Sequence, residues 1–333
     1  MTSHCKEGKG AGRHAFRFNP WEVCFQGMPE EVWVALARVC SADQSVGWGI
    51  AREAESPMPP MSLLDRDIVL FEADDAAGIP TVAYIESERP STSANVIAYL
   101  GSPDACPLLP SSADYFTTGD LTSLLNFIAG YCREKAPRPP LHGLVLAGGQ
   151  SSRMGRDKAA LEYGGEPQLA RAVDLLKPFC ADVSVSTRQD QSGGELYRSF
   201  RTLSDAFIGF GPLGGILTAL KSRPDAAWLV LGCDLPFVTP AVVGHLVKQR
   251  NPVKLATAYR SETEGLPEPL CAIYEPKSVY RLMAFLARGY HCPRKVLLNS
   301  DSHLLDLDTP GALANINHPD EYEAALRALS QDR

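Results

Sequence analysis

Three prolines within four positions, Pro137, Pro139 and Pro140, interrupt the chain near its middle. Proline fixes its own φ and has no N–H to give, so neither a helix nor an interior strand runs through such a stretch. The run from Lys135 to Pro140 therefore reads as an extended, semi-rigid spacer. It divides the chain into a flexible polar lead-in (1–18), a small α/β domain (19–135), the linker (136–140) and a larger domain (141–333). A length of 333 residues suits two domains at roughly 100–200 residues each. Charge divides at the same place. Residues 1–140 hold 11 Lys/Arg against 18 Asp/Glu, net −7, and residues 141–333 hold 21 of each.

Beyond the spacer the apolar pattern is that of a covered parallel sheet. Leu141–Leu146, Asp182–Ser186, Ala227–Leu231, Ala256–Tyr259 and Pro269–Tyr274 are near-continuous apolar runs, which strands buried on both faces require. Helices are expected over 168–178, 214–220, 240–250, 279–287 and 319–329. Before the spacer, strands are expected at 21–25, 67–72, 81–85 and 95–100. Helices there are expected after Pro29 and over 120–133, with Asp120 near the N-cap. Both parts thus read as α/β.

Four segments carry candidate chemistry. In the first, the strand ending at Leu146 enters Ala147-Gly148-Gly149, where glycines let backbone N–H groups approach phosphate. Arg153 and Lys158 supply cations nearby. The segment matches neither the P-loop nor the dinucleotide-binding glycine pattern. In the second, the 227–231 strand runs into Gly232-Cys233-Asp234-Leu235-Pro236. A carboxylate at the carboxyl end of a parallel strand can hold Mg2+ against nucleotide phosphates. It can equally be a turn aspartate. The third is Asp205 followed by Gly209-Phe-Gly211-Pro212-Leu213-Gly214-Gly215, a surface of backbone suited to a base or ribose, or simply a flexible loop. The fourth is Asn315-Ile-Asn317-His318-Pro319. Two amides two apart on an extended segment point the same way and could hold a polar heterocycle. Alternatively Asn317 is a helix N-cap.

In this order, LAGGQSSRMGRDK, GPLGGI, CDLPF, EPLCAIY and NINHPDEY resemble the molybdenum cofactor guanylyltransferase family over residues 141–330. The resemblance implies a three-layer, Rossmann-like nucleotidyltransferase domain with a mostly parallel sheet. It implies GMP transfer from GTP to Mo-molybdopterin, giving molybdopterin guanine dinucleotide and pyrophosphate. Carried over by position, Leu146, Ala147, Gly148 and Gly149 hold the nucleotide, with Gly211, Pro212, Leu213 and Gly214 from the second loop. Arg153 and Lys158 lie against the triphosphate, Asp205 serves the guanosine end and Asp234 binds Mg2+. Asn315 and Asn317 match the pair implicated in the pterin site. Arg188 stands where the family usually has an asparagine that contacts the nucleotide, and His318 replaces the commoner threonine. Molybdoenzyme apoproteins or their chaperones are implied as partners.

The N-terminal part faintly resembles the GTP-binding MobB adaptor family without its P-loop. Gln26-Gly-Met-Pro-Glu-Glu31 has no Gly-Lys-Thr, and two acids stand where phosphates would sit. A docking or oligomerisation role is expected for it. Two readings compete with the guanylyltransferase. One is a related transferase using CTP or a sugar-phosphate acceptor. The other is a non-catalytic chaperone for the cofactor. The net charge of −7 argues against a broad basic nucleic-acid surface. No apolar run approaches the length of a membrane span, and the N-terminus lacks the apolar centre of a secretory signal. Nine scattered cysteines without C-x-x-C fit a reduced, cytoplasmic protein.

Overall fold

The computed structural model describes residues 21–26, 28–43, 46, 48–51, 68–72, 80–84, 95–101, 113–135, 138–147, 157–191, 194–261 and 264–331. Contacts divide the chain into two units, Met1–Ala136 and Pro137–Arg333.

The first unit runs β1 (Trp21–Gln26), α1 (Glu30–Ala42), β2 (Trp48–Ala51), β3 (Ile68–Glu72), β4 (Pro80–Tyr84), β5 (Asn95–Leu100), β6 (Tyr115–Phe116) and α2 (Leu121–Lys135). Its sheet has the order β2-β3-β1-β4-β5-β6, with every pair parallel. In α1, Val32, Trp33, Leu36 and Cys40 are buried, and in α2 Leu121, Leu124, Leu125, Ile128 and Cys132. Both spacings put one face of a 3.6-residue period inward. Asp120 accepts from the Ser123 N–H at 3.1 Å, the expected cap. The β1–α1 junction carries Glu30 and Glu31 in the first turn of the helix, charges that repel phosphate from its positive end. β2 and β6 were not legible in the sequence; four and two residues long, they carry too little pattern.

The second unit runs β7 (Leu141–Leu146), β8 (Glu162–Tyr163), β9 (Glu166–Pro167), α3 (Gln168–Leu176), β10 (Val183–Thr187), β11 (Thr202–Ser204), α4 (Pro212–Ser222), β12 (Ala227–Gly232), α5 (Pro240–Lys248), β13 (Ala256–Arg260), β14 (Pro267–Tyr274), α6 (Ser278–Ala287), α7 (Pro293–Leu298), β15 (His303–Leu305) and α8 (Pro319–Gln331). The main sheet has the order β11-β10-β7-β12-β14-β13-β15. It is mostly parallel, as expected. β14 alone runs against its neighbours, pairing antiparallel with β12 and β13. Side chains on β12 alternate between the two faces. Leu229 and Leu231 join a cluster with Leu169, Val173 and Leu246 of α3 and α5. Trp228 and Val230 join another with Leu213, Ile216 and Leu282 of α4 and α6. Both faces are covered, which explains why the strands read as unbroken apolar runs. A third, smaller cluster of Leu161, Tyr163, Ile316 and Ala325 seats α8.

From β7 the chain moves outward through β10 to β11, then returns to β12 on the other side of β7. The strand order therefore reverses at β7/β12. Such a reversal opens a crevice above the carboxyl ends of the strands, where α/β sheets place their ligands.

Candidate active site

Three strand ends meet at that crevice. Leu146 and Ala147 come from β7, Ser186 and Arg188 from the end of β10, and Gly232, Cys233 and Asp234 from β12. With Lys158, Asp205, Gly209, Gly211, Pro212 and Leu270 they line a cavity of about 470 Å3. That size suits a small-molecule ligand.

Asp234 is the chemical focus. A Cβ on Gly232 would stand 2.5 Å from Asp234 Oδ1 and 3.3 Å from Leu270, so only glycine there lets the carboxylate fold back over the strand end. Burial pushes the Asp234 carboxyl up from its ordinary range, and the Lys158 ammonium pulls it part of the way back. Lys158 Nζ lies 4.0 Å from Asp234 Oδ2 and donates to Asn317 Oδ1 at 2.7 Å. The lysine thus bridges the β12 carboxylate and the segment before α8. The Ile316 N–H donates to the Asp234 carbonyl at 2.9 Å, tying the two segments together.

Lys158 is held in turn by its neighbour. Asp157 caps a 3-10 turn over Lys158–Ala160, accepting from the Ala159 N–H at 3.0 Å. Its other oxygen accepts from the Tyr197 hydroxyl at 2.7 Å and from Gln191 Nε2 at 3.4 Å. Tyr197 is buried, and burial together with that hydrogen bond raises its pKa. Sequence reasoning missed Asp157, Gln191 and Tyr197. The Asp-Lys pair was the only signal available, because Tyr197 is remote in sequence and lies in no motif.

Also in the cavity lining, Ser186 Oγ donates to Asp205 Oδ1 at 2.7 Å. Burial raises the Asp205 carboxyl, while that hydroxyl and the Arg188 charge lower it. Arg188 does line the cavity. Its Nε and Nη2 form a bidentate pair with Asp190, at 3.0 Å each. The large cation standing in place of the usual asparagine is therefore matched by a carboxylate two residues on.

The glycine-rich loop divides by function. Gly209 and Gly211 have φ of 84° and 55°, a region that favours glycine, and they line the cavity with Pro212. Leu213 and Gly214 do not. Leu213 is fully buried in the α4 face, and a Cβ on Gly214 would collide with the Phe207 carbonyl. A Cβ on Gly215 would lie 2.6 Å from Ser186 Oγ and 2.8 Å from Leu146 Cδ2. These two glycines let α4 approach the strand ends. Gly148, Gly149 and Arg153 fall outside the described residues.

Asn315 and Asn317 flank the buried Ile316. Asn315 is exposed, and neither amide lines the cavity. Asn317 is not the side-chain cap of α8. Glu321 does the capping from inside the helix, accepting from the Asn317 and His318 N–H groups at 2.6 and 3.1 Å. Among the described residues no group of three or more His, Cys, Asp or Glu side chains could hold a metal. None of the seven cysteines among the described residues forms a disulfide there, and no described helix is long and apolar enough to cross a membrane.

Residues 143–303 match the MobA-like NTP transferase domain. A stretch of 183 residues is 40% identical to a molybdenum cofactor biosynthesis bifunctional protein of Synechocystis, covering 55% of this chain and 53% of that one. The chain thus spans about half of that relative. A probable molybdenum cofactor guanylyltransferase of Pelotomaculum thermopropionicum is 32% identical over 55% of this chain and 90% of its own length. The Vibrio cholerae molybdenum cofactor guanylyltransferase is 31% identical over 54% and 87%. The crystal structure of molybdopterin-guanine dinucleotide biosynthesis protein A from Archaeoglobus fulgidus superposes with a TM-score of 0.50. It is 24% identical, covers 57% of this chain and 99% of its own, and shows the same fold. With its lysine and aspartate facing each other at the sheet's switch point and relatives matched over nearly their whole length, the chain belongs to the molybdenum cofactor guanylyltransferase family.

Proposed function

We propose that the chain transfers GMP from GTP to Mo-molybdopterin, releasing pyrophosphate. The observation that carries this reading is the placement of Asp234 and Lys158, 4.0 Å apart, in the same cavity as the Ser186-held Asp205. A guanine edge offers two adjacent donors, its ring N–H and its amino group, which a single carboxylate accepts together. Cytosine offers only its amino group. Asp205, half-buried and oriented by Ser186, is the residue suited to that choice.

The acceptor's phosphate monoester is already anionic near neutral pH. Its oxygen bonds to the α-phosphorus of GTP, and the bond from that phosphorus to the bridging oxygen breaks. No general base is needed. The obstacle is the approach of two polyanions, so catalysis is positioning and charge stabilisation. Lys158, fixed by Asn317 and by the Asp157 turn, presents its ammonium to the phosphates. Arg153, on the expected loop, adds a second cation. The residues fit Mg2+: Asp234 is a half-buried, cavity-lining carboxylate whose charged form is disfavoured in isolation, and one carboxylate with substrate phosphates is a common magnesium donor set. Bound there, the ion would neutralise charge on the phosphates.

The test is incubation of the chain with molybdopterin, Mg2+ and each nucleoside triphosphate in turn, following pyrophosphate release. Release with GTP alone is expected. Release with CTP in preference would overturn the guanine assignment, and none with any triphosphate would favour a cofactor-binding chaperone.

A further inference from the structure

The 3-10 turn that carries Lys158 is three residues long, Lys158–Ala160. Two backbone hydrogen bonds close it, from the Ala160 N–H to the Asp157 carbonyl at 3.1 Å and from the Leu161 N–H to the Lys158 carbonyl at 3.3 Å. A turn of that size does not hold its shape alone, because ordering its dihedrals outweighs so few bonds. Lysine adds a flexible four-carbon stem. The place of the ammonium therefore depends on what anchors the turn from outside.

Asp157 is where the anchor attaches. One carboxylate oxygen takes the Ala159 N–H inside the turn, and the other takes the Tyr197 hydroxyl and Gln191 Nε2 from beyond it. The two outside contacts differ in weight. The Tyr197 bond, at 2.7 Å to a carboxylate, is short and charge-assisted, whereas that of Gln191, at 3.4 Å, is long. Tyr197 is also firmly seated. It is 4% exposed and belongs to the same apolar cluster as Val145, Ala147 and Ala159, so its hydroxyl is presented from a fixed place. Burial and the bond to Asp157 push its pKa far up, so near neutral pH the phenol keeps its proton and donates.

Gln191 extends the connection. Its Oε1 accepts from the Arg188 N–H at 3.3 Å, and its own N–H donates to the Arg188 carbonyl at 3.0 Å. Hydrogen bonds thus run from the end of β10, where Ser186 and Arg188 line the cavity, through Gln191 to Asp157 and the turn. The carboxylate beside Lys158, with three donors on it, serves to fix the turn. The ammonium lies 2.7 Å from Asn317 Oδ1 and 4.0 Å from Asp234 Oδ2.

We infer that Tyr197 and Gln191 are positioning residues for Lys158: through the Asp157 carboxylate they set where the ammonium stands relative to Asp234. The inference rests on the transferase reading above, in which Lys158 faces the phosphates. It adds that the aim of the cation is fixed by the chain that follows β10, the same strand that supplies Ser186 and Arg188 to the cavity.

The experiment is a double-mutant cycle on the full chain with two readouts. One is kcat for pyrophosphate release at saturating GTP, molybdopterin and Mg2+. The other is the calorimetric affinity for inorganic tripolyphosphate, which presents phosphates without base or acceptor. Tyr197→Phe removes one hydroxyl and keeps the ring. It is expected to lower kcat about tenfold and to weaken tripolyphosphate binding about threefold, and to change neither by more than about twofold once Lys158→Ala is also present. Gln191→Leu should act in the same direction, about threefold on kcat, and carries the cycle should Tyr197→Phe fail to melt cooperatively. A defect spread through the cavity multiplies the loss in both backgrounds. Equal losses with and without Lys158 therefore overturn the inference, as do variants that keep wild-type kcat. Wild-type protein that binds tripolyphosphate but releases no pyrophosphate from any triphosphate sinks the transferase reading, and the binding cycle then decides the inference alone. Pyrophosphate release with additive losses sinks only the positioning roles. Neither release nor tripolyphosphate binding overturns both.

Discussion

Asp234 is carried into surroundings that disfavour its charge, and the protein tolerates the cost because the site needs it. Its carboxyl sits above the ordinary range through burial. Folding therefore prefers the protonated form, and near neutral pH the ionised group detracts from stability. Asp234→Asn is expected to melt at a higher temperature than the wild type in EDTA at pH 7. The gap should close as pH falls and the wild-type carboxyl takes up its proton. Mg2+ should raise the melting temperature of the wild type and leave the variant unchanged, because only the wild type binds the ion. Calorimetry over a pH series checks both. Lys158→Ala should lower turnover a hundredfold or more, about 2.7 kcal/mol in barrier. Its sequence neighbourhood announced both residues: a carboxylate ending an apolar strand, and a lysine close behind a glycine pair. The side chains that aim them were silent. Tyr197 reaches Asp157 from 40 positions away, and a contact of that range leaves no local pattern.

At the scale of elements, glycine was legible as a type of residue but not by role. Gly209 and Gly211 serve the cavity, whereas Gly214 and Gly215 serve the seating of α4. All sit in one short run, and only the neighbours across the fold tell them apart. Gly214→Ala is expected to destabilise the chain by about 1–3 kcal/mol, because backbone rather than a mobile side chain blocks the new methyl group. Urea unfolding measures it. The long strands and helices of the second unit fell within a few residues of expectation. β8, β9, β11, β15 and α7 did not appear in the pattern. At two to six residues each, they are held by neighbours rather than by their own periodicity.

For the whole molecule, the proline spacer proves to be part of the second unit's structure where it meets β7. Arg250, buried, makes a bidentate pair with Glu275 at 2.6 and 2.8 Å, and its Nη1 donates to the Pro139 carbonyl at 3.0 Å. The sequence marked the boundary through proline content but gave no sign that a guanidinium grips it. A fragment of residues 138–333 is expected to fold and to retain GMP transfer. One of residues 141–333 loses the Pro139 acceptor and should be less stable by about 1–3 kcal/mol in denaturant titrations.

The reversed direction of β14 means that its beginning, not its end, stands at the crevice, with Leu270 in the wall. β13 ends at Arg260 and β14 begins at Pro267, so the two strands are joined on the crevice side of the sheet by a connection whose length the sheet register does not dictate. Lengthening a surface connection costs little, since each doubling adds only about 0.6 kcal/mol of closure entropy. Selection for new acceptors, in nature or in a library, has there a place to add residues while the reacting groups stay where they are.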